Sequence, residues 1–139
     1  MLKLMNLQKV KVDLKPLKEL GDVVIFGSYA TGHATQRSDI DVAIITHSRD
    51  RESNKELWWQ ALGKTNPAKY DVKVFELLPL PVQMSVIENY VVVFGNRLDL
   101  SEYFYFYRKL WRDVEPRYLA NQFKSVKEKK KALANVCSL

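Results

Sequence analysis

Short apolar runs alternate with amphipathic segments along the 139-residue chain, and this pattern predicts an α/β fold. Each apolar run spans a few residues and is bounded by glycine, proline or asparagine, which is typical of a strand. The longer segments repeat apolar residues at three- and four-residue spacing, which is typical of a helix. The predicted strands are 22–26, 40–46, 70–75 and 91–94, and the predicted helices are 5–20 with an interruption at Pro16, 51–62, 80–90 and a long C-terminal helix.

The connections between these elements predict how they assemble. Only a short helix fits between the first two strands, so we expect a mixed sheet flanked by helices. Asp99, followed three residues later by Glu102, predicts a helix that begins there, breaks near Pro116 and resumes to about residue 134. Residues 1–98 would form the core, and residues 99–139 a helical extension of the same domain.

Charge and cysteine content restrict the function classes. The net charge is +6, and most of the excess lies after residue 100, where 124–131 is a basic run. We interpret that run as a solvated helix face, which makes a nucleic-acid partner unlikely. No apolar run is long enough to span a bilayer, the N-terminus lacks a signal-peptide pattern, and Cys137 is the single cysteine. We therefore expect a cytoplasmic protein that does not act in a membrane.

The most informative motif is Gly27-Ser28, followed after ten residues by Asp39-Ile40-Asp41. Glycine lets the backbone approach a ligand closely, and Ser28 places a hydroxyl beside free backbone N–H groups, where it would bind phosphate, cap a helix, or do both. Asp39 and Asp41 are two residues apart on a strand and share one face. Two adjacent carboxylates repel each other unless a cation lies between them, and Mg²⁺ binds one or two carboxylates together with substrate phosphates.

Asp71 is the third candidate carboxylate, early in a strand that can lie beside the second one. Alternation predicts that Asp71, Lys73 and Phe75 share one face of that strand. Three carboxylates on two neighbouring strands beside a Gly-Ser turn describe a two-metal site for phosphoryl or nucleotidyl transfer.

The stretch GSYATGHATQRSDIDVAI resembles the G-S-x₁₀-D-x-D signature of the polymerase β-type nucleotidyltransferases, in particular the minimal nucleotidyltransferases. The resemblance implies that Gly27 and Ser28 bind the β- and γ-phosphates of ATP. It also implies that Asp39, Asp41 and Asp71 hold two Mg²⁺ ions and catalyse AMP transfer to a hydroxyl. The chain departs from the small members of that family at residue 31, where it has threonine instead of arginine, and Arg37 or Lys73 would have to replace that cation.

The same resemblance implies a partner, because minimal nucleotidyltransferases are often antitoxins that adenylylate a small helical HEPN-type toxin. A tyrosine of such a toxin is the acceptor we favour. Two alternatives stay open at this point: a small-molecule transferase of the aminoglycoside type, and an antitoxin that acts by binding a ribonuclease without catalysis.

Aromatic residues crowd the start of the C-terminal helix, within 103–114. Helical spacing predicts one stripe that packs on the sheet, formed by Tyr103, Phe106, Tyr107, Leu110 and Val114. We expect the aromatic residues outside that stripe to contact a protein partner or a second copy of the chain. These residues are Phe104, Tyr105 and Trp111.

Overall fold

The computed structural model describes residues 6–35 and 39–137, with side chains as far as Asn121. The helices are α1 (Leu7–Leu14), α2 (Ser28–Thr31), α3 (Arg51–Leu62), α4 (Leu80–Glu88) and α5 (Arg97–Cys137), and the strands are β1 (Asp22–Phe26), β2 (Ile40–Ile45), β3 (Tyr70–Val74) and β4 (Val91–Phe94). Two 3₁₀ turns follow α1 and β3, at Lys15–Leu17 and Phe75–Leu77. The first contains Pro16, so the predicted interruption of the first helix is confirmed.

The four strands form one mixed sheet in the order β3-β2-β1-β4. β1 is antiparallel to both β2 and β4, whereas β2 and β3 are parallel. The mixed sheet is therefore confirmed. β2, β3 and β4 all begin at the end of the sheet where β1 finishes. The carboxyl end of one strand therefore meets the amino ends of the other three.

Apolar side chains cover both faces of the sheet, as strand alternation requires. One face packs against α1 and α3, with Val10, Leu14 and Ala61 in its core cluster. The other face packs against α4 and the beginning of α5. The second cluster contains Val24, Ala43, Ile45, Phe75, Val86, Ile87, Leu100, Phe104 and Tyr107.

Helix α5 begins earlier than predicted and does not break. Oδ1 of Asn96 accepts hydrogen bonds from the backbone N–H groups of Leu98 and Asp99, so Asn96 is the cap and the prediction of Asp99 was wrong. The helix also continues through Pro116, which corrects the predicted break. A proline removes one backbone donor, but the turns on either side keep theirs. The chain divides into two compact units within this helix, one ending at Tyr107 and the other beginning at Arg108.

The aromatic stripe of α5 is rotated relative to the prediction. Phe104 is fully buried, with its ring 5.0 Å from that of Phe75, so its assignment to a partner surface was wrong. Phe106, assigned to the packed stripe, is 43% exposed. The guanidinium of Arg49 lies over its ring, with Cζ 4.0 Å from the ring centre. Tyr105 is exposed, as predicted. The buried face of α5 contains Leu100, Phe104 and Tyr107. Periodicity alone did not distinguish this stripe from the neighbouring aromatic stripe on the same helix.

The outer edge of β3 is covered by a side chain. Trp58 of α3 donates its indole Nε1–H to the carbonyl oxygen of Val72 at 2.7 Å. Phe75 leaves the strand for the following 3₁₀ turn and is buried, so it does not share the exposed face of Asp71 and Lys73 as predicted. Among the residues that the structure describes, no helix has the length and apolar character needed to cross a membrane.

We predict that Phe104→Ala lowers the free energy of unfolding by about 3–5 kcal/mol, because it removes a buried ring from the second core cluster. Tyr105→Ala on the same helix should change it by only about 0.5 kcal/mol, since the side chain is exposed. Urea denaturation followed by circular dichroism measures both. Equal losses in the two variants would contradict the assignment of Phe104 to the core.

Candidate active site

The three predicted carboxylates meet at one end of the sheet. Asp39 immediately precedes β2, Asp41 is the second residue of β2, and Asp71 is the second residue of β3. Asp41 and Asp71 are direct partners in the parallel register, so their side chains lie on the same face of neighbouring strands. The structure thus places the three carboxylates next to one another, as alternation and strand pairing predicted.

The Gly27 turn lies directly against this group. Gly27 has φ 73° and ψ −147°, a backbone conformation that is nearly exclusive to glycine. A Cβ at this position would collide with Oδ2 of Asp41. Gly27 is the cap residue of α2 and Ser28 is its first helical residue, so the interpretation of Ser28 as a side-chain cap was wrong. The turn therefore brings Gly27, and with it the start of α2, against Asp41 through backbone conformation alone.

The electrostatics of Asp41 reflect the crowding of negative charge. Burial raises the pKa of Asp41 above its usual value, and the nearby carboxylates of Asp71 and Asp39 raise it further. Lys73 acts in the opposite direction and lowers this pKa. A cation bound among these carboxylates would offset both the burial and the repulsion that disfavour the ionised form of Asp41.

Lys73 is the described cation nearest to Asp71. Its Nζ lies 3.6 Å from Oδ1 of Asp71, and both side chains are largely exposed, so water weakens this ion pair. Arg37, the other predicted substitute for the missing arginine, lies outside the described residues. The hydroxyl of Thr31 lies 3.3 Å from the carbonyl oxygens of both Gly27 and Ser28 and can donate to either, so it bonds within its own helical turn.

The start of β3 is anchored from α1. The hydroxyl of Tyr70 donates to Oδ2 of Asp13 at 2.6 Å, and Nζ of Lys69 lies 3.4 Å from the same oxygen. Burial and this hydrogen bond raise the pKa of Tyr70, and the hydrogen bond lowers the pKa of Asp13. Tyr70 is itself buried and directly precedes Asp71. The contact therefore fixes the backbone that carries the third carboxylate.

The donor set fits a magnesium ion bound together with substrate. Among the described side chains, in 6–35 and 39–121, there is no ready-made cage of three or more metal ligands. Mg²⁺ does not require such a cage, since it usually keeps waters and binds through one or two carboxylates plus phosphate oxygens. The shared face of Asp41 and Asp71, with Asp39 close enough to raise the pKa of Asp41, suits that mode of binding.

A second carboxylate cluster, which the sequence analysis missed, lies at the opposite end of the sheet. Glu76 accepts hydrogen bonds from the backbone N–H groups of Thr46 and His47 and from the hydroxyl of Tyr103, at 3.1, 2.9 and 2.6 Å. Burial and the bond to Glu76 raise the pKa of Tyr103. Nε2 of His47 lies 2.6 Å from Oδ2 of Asp22. A carboxylate directly after an apolar strand was the signal for this cluster.

Comparison with known proteins agrees with this geometry. The family model described as "Polymerase beta, Nucleotidyltransferase" matches residues 8–99. The chain is 48% identical over 107 residues to the "Putative protein adenylyltransferase MJ1547" of Methanocaldococcus jannaschii. The aligned segment covers 77% of this chain and 82% of the relative. The chain belongs to the polymerase β-type nucleotidyltransferase family, and it is a nucleotidyltransferase by that membership.

Solved structures share the fold. A chain from the crystal structure of a toxin–antitoxin with AMP-PNP superposes with a TM-score of 0.66 at 19% identity, over 88% of this chain and 99% of the other. A chain from the complex of the tri-AMPylated HEPN toxin of Shewanella oneidensis with its MNT antitoxin superposes with a TM-score of 0.61 at 15% identity, over 87% and 99%. The predicted fold class is therefore confirmed, including the helical extension at the C-terminus.

We predict that Gly27→Ala destabilises the protein by about 1–3 kcal/mol, because alanine is strained at this φ and ψ and its Cβ would displace Asp41. Gly63→Ala is the matched control. Gly63 has φ −78° and an open surrounding, so alanine there should stabilise by about 0.4–1 kcal/mol. Thermal unfolding compares the two variants, and an unchanged Gly27→Ala protein would contradict the described turn.

We predict that Asp41→Asn raises the melting temperature at pH 7 in metal-free buffer. The pKa of Asp41 is raised in the folded protein, so ionisation above the unfolded value, about 3.9, disfavours the fold. The advantage of the variant should shrink as the pH falls and vanish once Asp41 is protonated in both states. Exposed Asp113→Asn controls for net charge. A gain that does not depend on pH would contradict the crowding of charge.

Proposed function

We propose that this protein transfers AMP from ATP to a hydroxyl group in a Mg²⁺-dependent reaction. The observation that carries the proposal is the packing of the Gly27 turn against Asp41 while Asp71 pairs with Asp41 on the neighbouring strand. A turn that can bind phosphate then lies next to a cluster of carboxylates that can bind cations. Transfer from a magnesium–nucleotide complex requires this combination.

Each residue has a distinct part in this reaction. Gly27 and Ser28 bind the β- and γ-phosphates, with backbone N–H groups and the serine hydroxyl as donors. Asp39 and Asp41 would hold one Mg²⁺, and Asp71 would join them in holding a second. The bound ions would neutralise phosphate charge and make the acceptor hydroxyl more acidic.

The reaction exchanges one bond for another at the α-phosphorus. The acceptor oxygen forms a bond to the α-phosphorus, and the bond from that phosphorus to the oxygen bridging to the β-phosphate breaks. Pyrophosphate leaves, and the proton of the acceptor hydroxyl passes to the Asp71 carboxylate. The protein contributes mainly position and charge, since phosphoryl-group transfer needs little covalent help.

We propose a tyrosine of a HEPN-type toxin as the acceptor, with this chain as the antitoxin, acting in the cytoplasm. The relative from Methanocaldococcus jannaschii is named as a protein adenylyltransferase. Structures of the same fold include an AMPylated HEPN toxin with its MNT antitoxin and a toxin–antitoxin with AMP-PNP. The exposed Tyr105 is the candidate contact for that partner or for a second copy of the chain.

We predict that ATP binds at least tenfold more tightly with Mg²⁺ than in EDTA, because three carboxylates repel a bare triphosphate. Isothermal titration calorimetry measures both affinities. Asp41→Asn and Asp71→Asn should abolish transfer of label from α-³²P-ATP to a co-expressed toxin, whereas Asp113→Asn should not. Equal affinity in both buffers would contradict the metal site. Magnesium-dependent binding and toxin neutralisation without label transfer would favour the non-catalytic antitoxin.

A further inference from the structure

The two residues before Asp71 hold both strands of the carboxylate cluster. The carbonyl oxygen of Lys69 accepts a hydrogen bond from the backbone N–H of Ile40 at 2.9 Å. Ile40 directly precedes Asp41, and its partner in the parallel register is Tyr70. The dipeptide Lys69-Tyr70 therefore sets where the backbones of β2 and β3 begin to run side by side.

Asp13 of α1 binds the side chains of this same dipeptide. Its Oδ2 accepts a hydrogen bond from the hydroxyl of Tyr70 at 2.6 Å and lies 3.4 Å from Nζ of Lys69. α1 is itself fixed on the sheet, because its residues Val10 and Leu14 are buried in the first core cluster. We call these three residues, Asp13, Lys69 and Tyr70, the Asp13 clamp. The clamp attaches the start of β3 to a packed helix.

The Asp13 clamp and the carboxylates lie on opposite faces of the sheet. Tyr70 belongs to the core cluster beside α1, and strand alternation sends the side chain of Asp71 to the other face. Asp13 therefore does not reach a metal or nucleotide held by Asp41 and Asp71. Any influence of the clamp on these carboxylates passes through the backbone that carries them.

Asp71 needs this support because of its place in the sheet. β3 is an outer strand that pairs with β2, and Asp71 is the second of its five residues. The ends of such a strand open more readily than the middle of a sheet. Repulsion between Asp41 and Asp71 favours that opening when no cation is bound. The clamp opposes it at the point where β3 begins.

We propose that Asp13 and Tyr70 are positioning residues that hold Asp41 and Asp71 at the separation at which the pair binds Mg²⁺. This inference rests on the proposed function, which assigns the metal to these carboxylates. Removal of a group that supports metal ligands from behind typically costs about 10- to 100-fold in metal affinity or activity. Loss of the Tyr70 hydroxyl should therefore weaken Mg²⁺ binding, while the phenylalanine ring that replaces it still fills the core.

Tyr70→Phe and Tyr103→Phe form a matched pair. Each removes one hydroxyl that donates to a carboxylate at 2.6 Å, and the two hydroxyls lie at opposite ends of the sheet. Titration with MgCl₂ alone, followed through the backbone amide signals of Asp41 and Asp71 in ¹H–¹⁵N spectra, measures metal affinity without nucleotide or catalysis. We expect the dissociation constant for Mg²⁺ to rise about tenfold or more in Tyr70→Phe and to stay within about twofold in Tyr103→Phe.

Variants of Asp13 separate the hydrogen bond from the charge. Asp13→Asn keeps an acceptor for the Tyr70 hydroxyl and should retain most of the Mg²⁺ affinity, whereas Asp13→Ala should lose as much as Tyr70→Phe. The double variant with Asp13→Ala and Tyr70→Phe should bind Mg²⁺ no more weakly than either single variant, because both changes remove the same contact. In the transfer assay at saturating Mg²⁺, kcat of Tyr70→Phe should fall about tenfold while the KM for ATP stays within about twofold.

The outcomes keep this proposal apart from the proposed function. Unchanged Mg²⁺ affinity in Tyr70→Phe, or equal losses in Tyr70→Phe and Tyr103→Phe, would overturn the positioning role and leave the transferase intact. Amide signals of Asp41 and Asp71 that Mg²⁺ does not move in the wild type would also overturn it, since the pair would then not bind the metal by itself. A selective loss of Mg²⁺ affinity in Tyr70→Phe would support the positioning role even if no acceptor is labelled, a result that contradicts only the proposed reaction.

Discussion

Repulsion among three carboxylates is the constraint around which the end of the sheet is built. Asp41 and Asp71 share one face of two parallel strands, Asp39 immediately precedes the first of them, and the pKa of Asp41 is raised by burial and by the other two carboxylates. Such a group would spread apart if its backbone were free to move. The parallel register fixes Asp41 opposite Asp71, and Gly27, lacking a Cβ, lets the next turn close over Asp41. The fold thus holds together charges that oppose one another when no ligand is bound.

The opposite end of the sheet handles the same residue type differently. Glu76 accepts three hydrogen bonds, two from the turn after β2 and one from Tyr103 of α5. Its negative charge is satisfied by donors of the protein, so it stabilises the junction between the sheet and α5 without a cation. For the carboxylates near Gly27, the contact recorded among the described residues is the exposed ion pair between Lys73 and Asp71. This contrast separates the acid that supports the structure from the acids that are arranged for a ligand.

Much of the fold followed from local patterns, and the errors have identifiable causes. Glycine and aspartate spacing predicted that the Gly27 turn and the carboxylates of Asp41 and Asp71 would lie together, because turn conformation and strand alternation are short-range properties. Phe104 was misplaced because an aromatic helix offers two stripes of similar character, and only the packing of α5 on side chains of β1 and β2 decides between them. The N-cap of α5 is Asn96 and not the predicted Asp99. Asparagine and aspartate have similar propensities for the N-cap position, so the sequence did not distinguish them. The cluster around Glu76 depends on contacts between distant segments, which periodicity does not report.

The hydrogen bond from Trp58 to the carbonyl oxygen of Val72 has a consequence for the behaviour of the protein at high concentration. β3 is an outer strand of the sheet, and an outer strand with free carbonyl groups is a template on which another chain can add a strand. The indole occupies one of these carbonyls and places a bulky ring along the edge. Growth of the sheet from one molecule to the next is thereby hindered at the strand that carries Asp71, and a protein that loses this ring would be prone to ordered aggregation from that edge.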